Sequence, residues 1–243
     1  MKCIDDIVDW DHLPMLINQA TELKDHLSKF SYTELKHLWQ CNDKIAQTNY
    51  ERLQKMALTT NLTPAVLAYE GLQYQYMAPH VFDKNQWNYV RNHLTILSGF
   101  YGLLRATDGI TPYRLEMQAK LQVNNTKNLY DYWKDSIYNA LVTNCSVIVN
   151  LASKEYSKTI EKYLDGKVKM VTCIFGELAE VNGIKKIRTK ATAAKMARGE
   201  MVRYMAENNV QDAEKLKLFN RLLYAYNEEY SSDECYVFVE SRN

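Results

Sequence analysis

The stretch Leu94 to Met117, LTILSGFYGLLRATDGITPYRLEM, limits what this chain can become more than any other segment, because several unusual demands fall together in it. An apolar run (Leu94, Ile96, Leu97) stops at Ser98-Gly99, and a second glycine follows at Gly102. Two glycines three apart, after a buried strand or helix end, let backbone N–H groups turn toward a common point that suits phosphate or another anion. On this reading Ser98, Gly99, Tyr101 and Gly102 cradle the anion, with Arg105 and Arg114 flanking it. Thr111-Pro112-Tyr113 sets an extended entry into Arg114-Leu115-Glu116, where alternation puts Arg114 and Glu116 on one face. Two structural alternatives compete: glycines placed for positive φ, and an Arg114–Glu116 pair inside a core network.

The chain has 243 residues, 47% hydrophobic and 24% charged, enough to bury a sizeable core. A net charge of +1 is far from that of a nucleic-acid polycation, so an electrostatic footprint has to come from local segregation. Ile184 to Asn209 carries seven basic and two acidic residues, whereas Asn227 to Asn243 carries five acidic and one basic. Five scattered cysteines without a C-x-x-C spacing point to reduced thiols and to neither a disulfide framework nor a zinc ribbon. With no transmembrane-length apolar run and an acidic start, the chain is expected to be cytoplasmic, with no membrane partner.

Hydrophobic periodicity predicts helices from Pro14 to Lys29, from the capping box Ser31-Tyr32-Thr33-Glu34, from Asp43 to Met56, from Asp83 to His93, from Leu129 to Val142 and from Thr192 to Asn208. Strands are predicted at Ala65–Tyr69, Val147–Leu151, Lys169–Phe175, Leu222–Tyr226 and Tyr236–Glu240. The dipeptide Asn182-Gly183 predicts a tight hairpin whose second strand runs from Ile184 to Thr189. No repeat or linker is visible, so the economical architecture is one α+β domain over residues 1–243, a mixed sheet flanked by helices.

On a helical wheel Lys195, Arg198 and Arg203 of the last long helix share a sector of roughly 140°. Gly199 lies on the same side, where an interior glycine costs about 1 kcal/mol relative to alanine. Close approach of a ligand and close approach of another backbone explain it equally well. The five histidines share no ligand spacing, and no Walker loop, dinucleotide fingerprint or serine-hydrolase elbow appears, so neither metal nor cofactor is indicated. Most of the eighteen tyrosines sit at core spacing.

The blocks LSGFYGLLR (Leu97–Arg105), TPYRLEM (Thr111–Met117), NLYDYW (Asn128–Trp133), VNLASKEY (Val149–Tyr156) and KMARG (Lys195–Gly199) closely resemble the bacterial peroxide stress protein YaaA family, in the same order. The resemblance implies a single α+β domain with a basic cleft and a helix-hairpin-helix-like element that binds DNA. It also implies a role in limiting damage when peroxide meets iron. Family members usually carry a strand and a Ser-Pro-Ala-Lys motif before the position of Met1-Lys2, so the strand Val147–Leu151 is expected to lose an edge partner here. The spacing of Gly99 and Gly102 also differs from a typical helix-hairpin-helix turn, whose glycines are two apart.

Together these readings lead to a non-enzymatic DNA-binding protein of the peroxide response, recognising DNA structure in preference to sequence. Ser98, Gly99, Tyr101 and Gly102 would hold a backbone phosphate, and Arg105, Arg114, Lys190, Lys195, Arg198 and Arg203 would supply positive potential. The competing class is an enzyme acting on a phosphorylated small molecule or nucleotide, with Arg114 and Arg198 clamping phosphate and Tyr113 or Glu116 transferring a proton.

Overall fold

The computed structural model describes residues 8–143 and 145–241. In chain order the elements are α1 (Ile17–Leu27), α2 (Tyr32–Trp39), α3 (Asp43–Gln54), β1 (Thr63–Pro64), α4 (Ala65–Ala68), α5 (Leu72–Met77), α6 (Lys84–His93), β2 (Thr95–Ser98), β3 (Gly102–Arg105) and β4 (Gly109–Ile110). There follow α7 (Leu129–Trp133), α8 (Ser136–Val142), β5 (Val147–Asn150), α9 (Lys154–Glu161), β6 (Lys169–Val181), β7 (Ile184–Arg188), α10 (Ala191–Glu207), β8 (Tyr224–Tyr226) and β9 (Cys235–Glu240). The mixed α+β class expected from the sequence is the one observed. The chain forms two compact units, one of residues 1–69, 95–143 and 153–164, the other of residues 70–94, 144–152 and 165–243.

The first unit is mainly helical. Ser31 and Glu34 form the reciprocal capping box at the start of α2, and the Asn42 side chain caps α3. Ala65–Ala68 is a short, wholly buried helix where a strand was expected. Its apolar run is too short for periodicity to separate the two, and Pro64 at the N-cap favours the helical turn. The single helix expected over Leu129–Val142 is broken, because Lys134 takes a positive φ of 45° and ends α7 before α8 begins. Trp133, fully buried, donates its indole N–H to Gly99 O at 3.1 Å and so ties α7 to the β2–β3 connection.

The second unit is built on a sheet of order β5-β6-β9-β8. β6 runs parallel to β5 and β9, and β8 closes the far side antiparallel to β9. The last residues of β6, Glu177–Val181, pair antiparallel with β7 around Asn182-Gly183, whose φ values of 54° and 74° are those of the tight turn the dipeptide favours. Phe175, Phe219, Phe238, Met201 and Tyr204 form the centre of this unit's core. Phe175 and Phe238 stack at 5.1 Å between centroids. Among the described residues β5 pairs with β6 and with no strand on its other side, and the expectation about a partner before Met1-Lys2 lies outside the described residues.

α10 crosses α5 so closely that Gly199 has no room for a side chain. A Cβ there would sit well inside contact distance of Gln73 O and 3.0 Å from Met77 N. Gly199 is buried, and backbone approach by α5 accounts for it without a ligand.

Candidate nucleic-acid interface

In the first unit the glycine pair lies at the tip of an antiparallel hairpin, β2 against β3 with Ser98 opposite Gly102. It therefore joins two strands, and not the two helices of a helix-hairpin-helix element. Gly102 adopts φ +70°, and a Cβ would meet Leu16 and Trp133 at 2.9 Å. At Gly99 a Cβ would meet Leu115 O at 2.6 Å. Ser98, Phe100 and Tyr101 are all buried. Ser98 Oγ accepts the N–H groups of Phe100 (3.1 Å) and Tyr101 (2.8 Å), so the amides expected to converge on a phosphate are satisfied inside the turn.

The same hydroxyl shares a 2.7 Å hydrogen bond with Tyr113 Oη, which also bonds Tyr69 Oη. Tyr101 Oη accepts Thr111 N–H at 3.2 Å. Burial pushes the Tyr113 phenol well above its usual pKa and likewise raises Tyr101. These phenols stay protonated at neutral pH and serve as hydrogen-bonding struts. Replacing Ser98 by alanine is expected to orphan two buried N–H groups and cost about 2–3 kcal/mol in denaturant unfolding. An unfolding midpoint unchanged in that variant would show that water or Tyr113 takes over both bonds.

Arg105 is held by Asp108, whose carboxylate accepts Arg105 Nε at 2.8 Å and Arg105 N–H at 2.9 Å, and its Nη2 reaches Leu13 O at 3.2 Å. Asp108 is buried, and burial raises its pKa against the opposing pull of Arg105. Arg114 and Glu116 share a face as the alternation suggested, 3.5 Å apart, and Arg114 Nη2 donates to Trp39 O at 3.3 Å. Glu116 is largely exposed, while Arg114 Nε is buried without a partner.

In the second unit Lys190 and Arg188 converge on Glu177, which is only 2% exposed. Lys190 Nζ lies 2.9 Å from Glu177 Oε2, and Arg188 Nε lies 2.8 Å from Oε1. Arg203 Nε bonds Glu207 Oε1 at 2.7 Å, and Arg221 links Glu207 (2.5 Å) to Glu200 (2.9 Å). Burial tends to raise the Glu207 pKa, but its bonds to Arg203 and Arg221 outweigh this and hold it below the usual range. Arg188, Lys190 and Arg203 thus spend their charge on carboxylates of their own unit.

The remaining cations differ. Lys185 and Lys186 on β7 and Lys195 on α10 are exposed, and none of them makes an ion pair among the described residues. Lys186 stands opposite Ala179, Lys185 opposite Glu180. Arg198 is half-buried with Nε buried and without a hydrogen-bond partner, and the carboxylate partner that a core arginine would require is not there among the described residues. Burial lowers its pKa, the nearby Cys173 opposing. The N-terminus of α10 has no side-chain cap and no acidic residue in its first turn.

A family model described as "Peroxide stress protein YaaA" matches residues 4–230. The chain belongs to the peroxide stress protein YaaA family. Bacterial relatives match along almost the whole length and carry the name UPF0246 protein. One from Agathobacter rectalis is 52% identical over 237 residues, covering 96% of this chain and 94% of the relative. Others come from Desulfitobacterium hafniense, 50% identical over 95% of this chain and 90% of the relative, and Pediococcus pentosaceus, 48% identical over 99% and 94%.

Lys185 and Lys186 were counted in the charge balance of the sequence but not placed among its site residues. The signal for them was the Asn182-Gly183 turn, since lysines following a tight turn on an alternating strand stand on a protruding ribbon with few neighbours to pair with.

Proposed function

We propose that this member of the YaaA family is a non-enzymatic DNA-binding protein whose contact surface is the β6–β7 ribbon and the start of α10. The observation that carries this is the run of exposed lysines Lys185, Lys186 and Lys195, unpaired among the described residues, beside a helix N-terminus without a side-chain cap. Unpaired cations release counterions from DNA when they meet phosphate, and the leading amides of a helix accept an anion. A two-stranded ribbon is also narrow enough for the roughly 12 Å major groove. Contacts of this kind fix position on the backbone and carry little sequence information.

The alternative of an enzyme using Tyr113, Glu116, Arg114 and Arg198 is less well supported. Tyr113 is enclosed by Tyr69, Ser98 and Phe100 and held protonated, whereas Glu116 projects into solvent beside Arg114. The deciding experiment is a salt titration of binding to duplex, single-stranded and distorted DNA. Affinity for duplex is expected to fall log-linearly with salt, by about 0.9 per phosphate neutralised. Salt-insensitive binding, or none to any of the three, overturns the proposal.

A further inference from the structure

The first unit contains a pocket of about 800 Å3 that none of the residues discussed so far explains. Three separate pieces of chain build it. The end of α1 and the turn after it contribute His26 and Phe30, the stretch from Met117 into the first turn of α7 contributes Lys120, Lys127 and Tyr130, and α9 contributes Lys158. Before α7 the middle stretch has no regular structure, yet it is anchored: Met117, Leu121 and Val123 are buried, and Gln118 N–H donates to Glu155 Oε1 at 3.2 Å. The Asn128 side chain accepts Asp131 N–H and starts α7, fixing Tyr130, whose hydroxyl donates to Glu155 O at 2.9 Å.

Its charge is one-sided. Lys120, Lys127 and Lys158 are all exposed, none forms an ion pair among the described residues, and no aspartate or glutamate is among the pocket's lining residues. Just outside the lining, Glu155 Oε1 accepts the Gln118 N–H, and Asp131 accepts the backbone N–H of Lys127 at 3.0 Å. Three lysines on one pocket outnumber the two carboxylates beside it, so an anion that enters is favoured electrostatically. Planar apolar surface lies beside these charges. His26 and Phe30 stand with ring centroids 5.4 Å apart, Tyr130 adds a third ring, and His26 Nε2 is buried without a hydrogen-bond partner. A buried imidazole nitrogen lacking a partner is a vacant directional contact.

We propose that this pocket binds a nucleotide, with the lysines on the phosphates and the base against Phe30, Tyr130 and His26. The volume lies within the roughly 300–1,000 Å3 common for small-ligand sites. The pairing of ammonium groups with aromatic faces matches the two halves of a nucleotide better than it matches inorganic phosphate or an apolar ligand. The site is independent of the DNA surface proposed above, since it uses none of Lys185, Lys186 or Lys195.

The test is calorimetric titration of the full chain with ATP, adenosine and inorganic triphosphate, repeated on Lys158→Glu, on Phe30→Ala and on Lys195→Glu. ATP is expected to bind more tightly than either half alone. Lys158→Glu should weaken ATP and triphosphate by about tenfold or more, Phe30→Ala should weaken ATP but not triphosphate, and Lys195→Glu should leave ATP binding unchanged. Circular dichroism on each variant confirms that Phe30→Ala is folded, and Tyr130→Ala replaces it if it is not. No ATP binding at millimolar concentration overturns the proposal. So does ATP binding that Lys158→Glu leaves intact, or triphosphate binding as tightly as ATP. Loss of duplex binding in Lys158→Glu with ATP binding unaffected would assign these lysines to DNA and overturn it equally.

Discussion

Replacing Gly199 by alanine is expected to destabilise the protein by about 3 kcal/mol, although the same change in an open helix interior stabilises by about 1 kcal/mol. The sign is decided by space. The new methyl would overlap Gln73 O and press on Met77 N, both backbone atoms of α5, so neither can swing aside as a side-chain tip would. Relief requires α10 to move off α5, and α10 also carries Ala197 and Met201 into the sheet core of its unit. Thermal melts should show a fall of roughly 6–12 °C for a chain of this size. A Tm equal to or above that of the parent would mean that α5 does not pack where the structure puts it.

The second large effect concerns Glu177. Removing Arg188 and Lys190 together takes two cations away from a carboxylate that is only 2% exposed. The expected cost is about 2–4 kcal/mol. It sits below the usual range for a broken buried pair because the two cations are themselves more than half exposed and solvent screens them. Adding Glu177→Gln to the double variant should restore much of the loss, because a neutral amide is far cheaper to bury. Urea unfolding of the three proteins measures this, and a triple variant no more stable than the double would show that charge burial is not the cause. Because Lys190 is engaged by Glu177, the double variant should also retain much of its DNA affinity, unlike a variant of Lys185 or Lys195.

How much of this was legible in the sequence depends on whether the deciding physics is local. Ser31-x-x-Glu34, Asp83 and Asn182-Gly183 act within a few residues of themselves, and each marks a boundary that the structure has. The alternation that put Arg114 beside Glu116 is equally local. The α4 helix was misread because four apolar residues carry no period, and Lys134 interrupts α7–α8 through a left-handed backbone that its side chain does not announce. Site chemistry failed for a further reason. Whether a cation is available depends on where carboxylates of distant segments end up. The pairing of Arg105 by Asp108 is three residues away, but that of Lys190 by Glu177 crosses a hairpin, and the Arg203–Glu207–Arg221–Glu200 chain joins α10 to residues beyond it. Gly199 belongs with these: its neighbour Gln73 is 126 positions earlier in the chain, and no pattern around Lys195 to Arg203 contains that information.

The central claim is that DNA is held by the unpaired lysines of the ribbon and of α10. It is tested most directly by comparing the salt dependence of duplex binding for the parent chain and for the variant Lys185→Ala/Lys186→Ala/Lys195→Ala. Each lysine that neutralises one phosphate contributes about 0.9 to the slope of log affinity against log salt. All three are exposed and make no ion pair among the described residues, so the variant should keep its melting temperature while its slope becomes shallower by about 2–3 units. An unchanged slope and affinity in a folded triple variant would contradict the account.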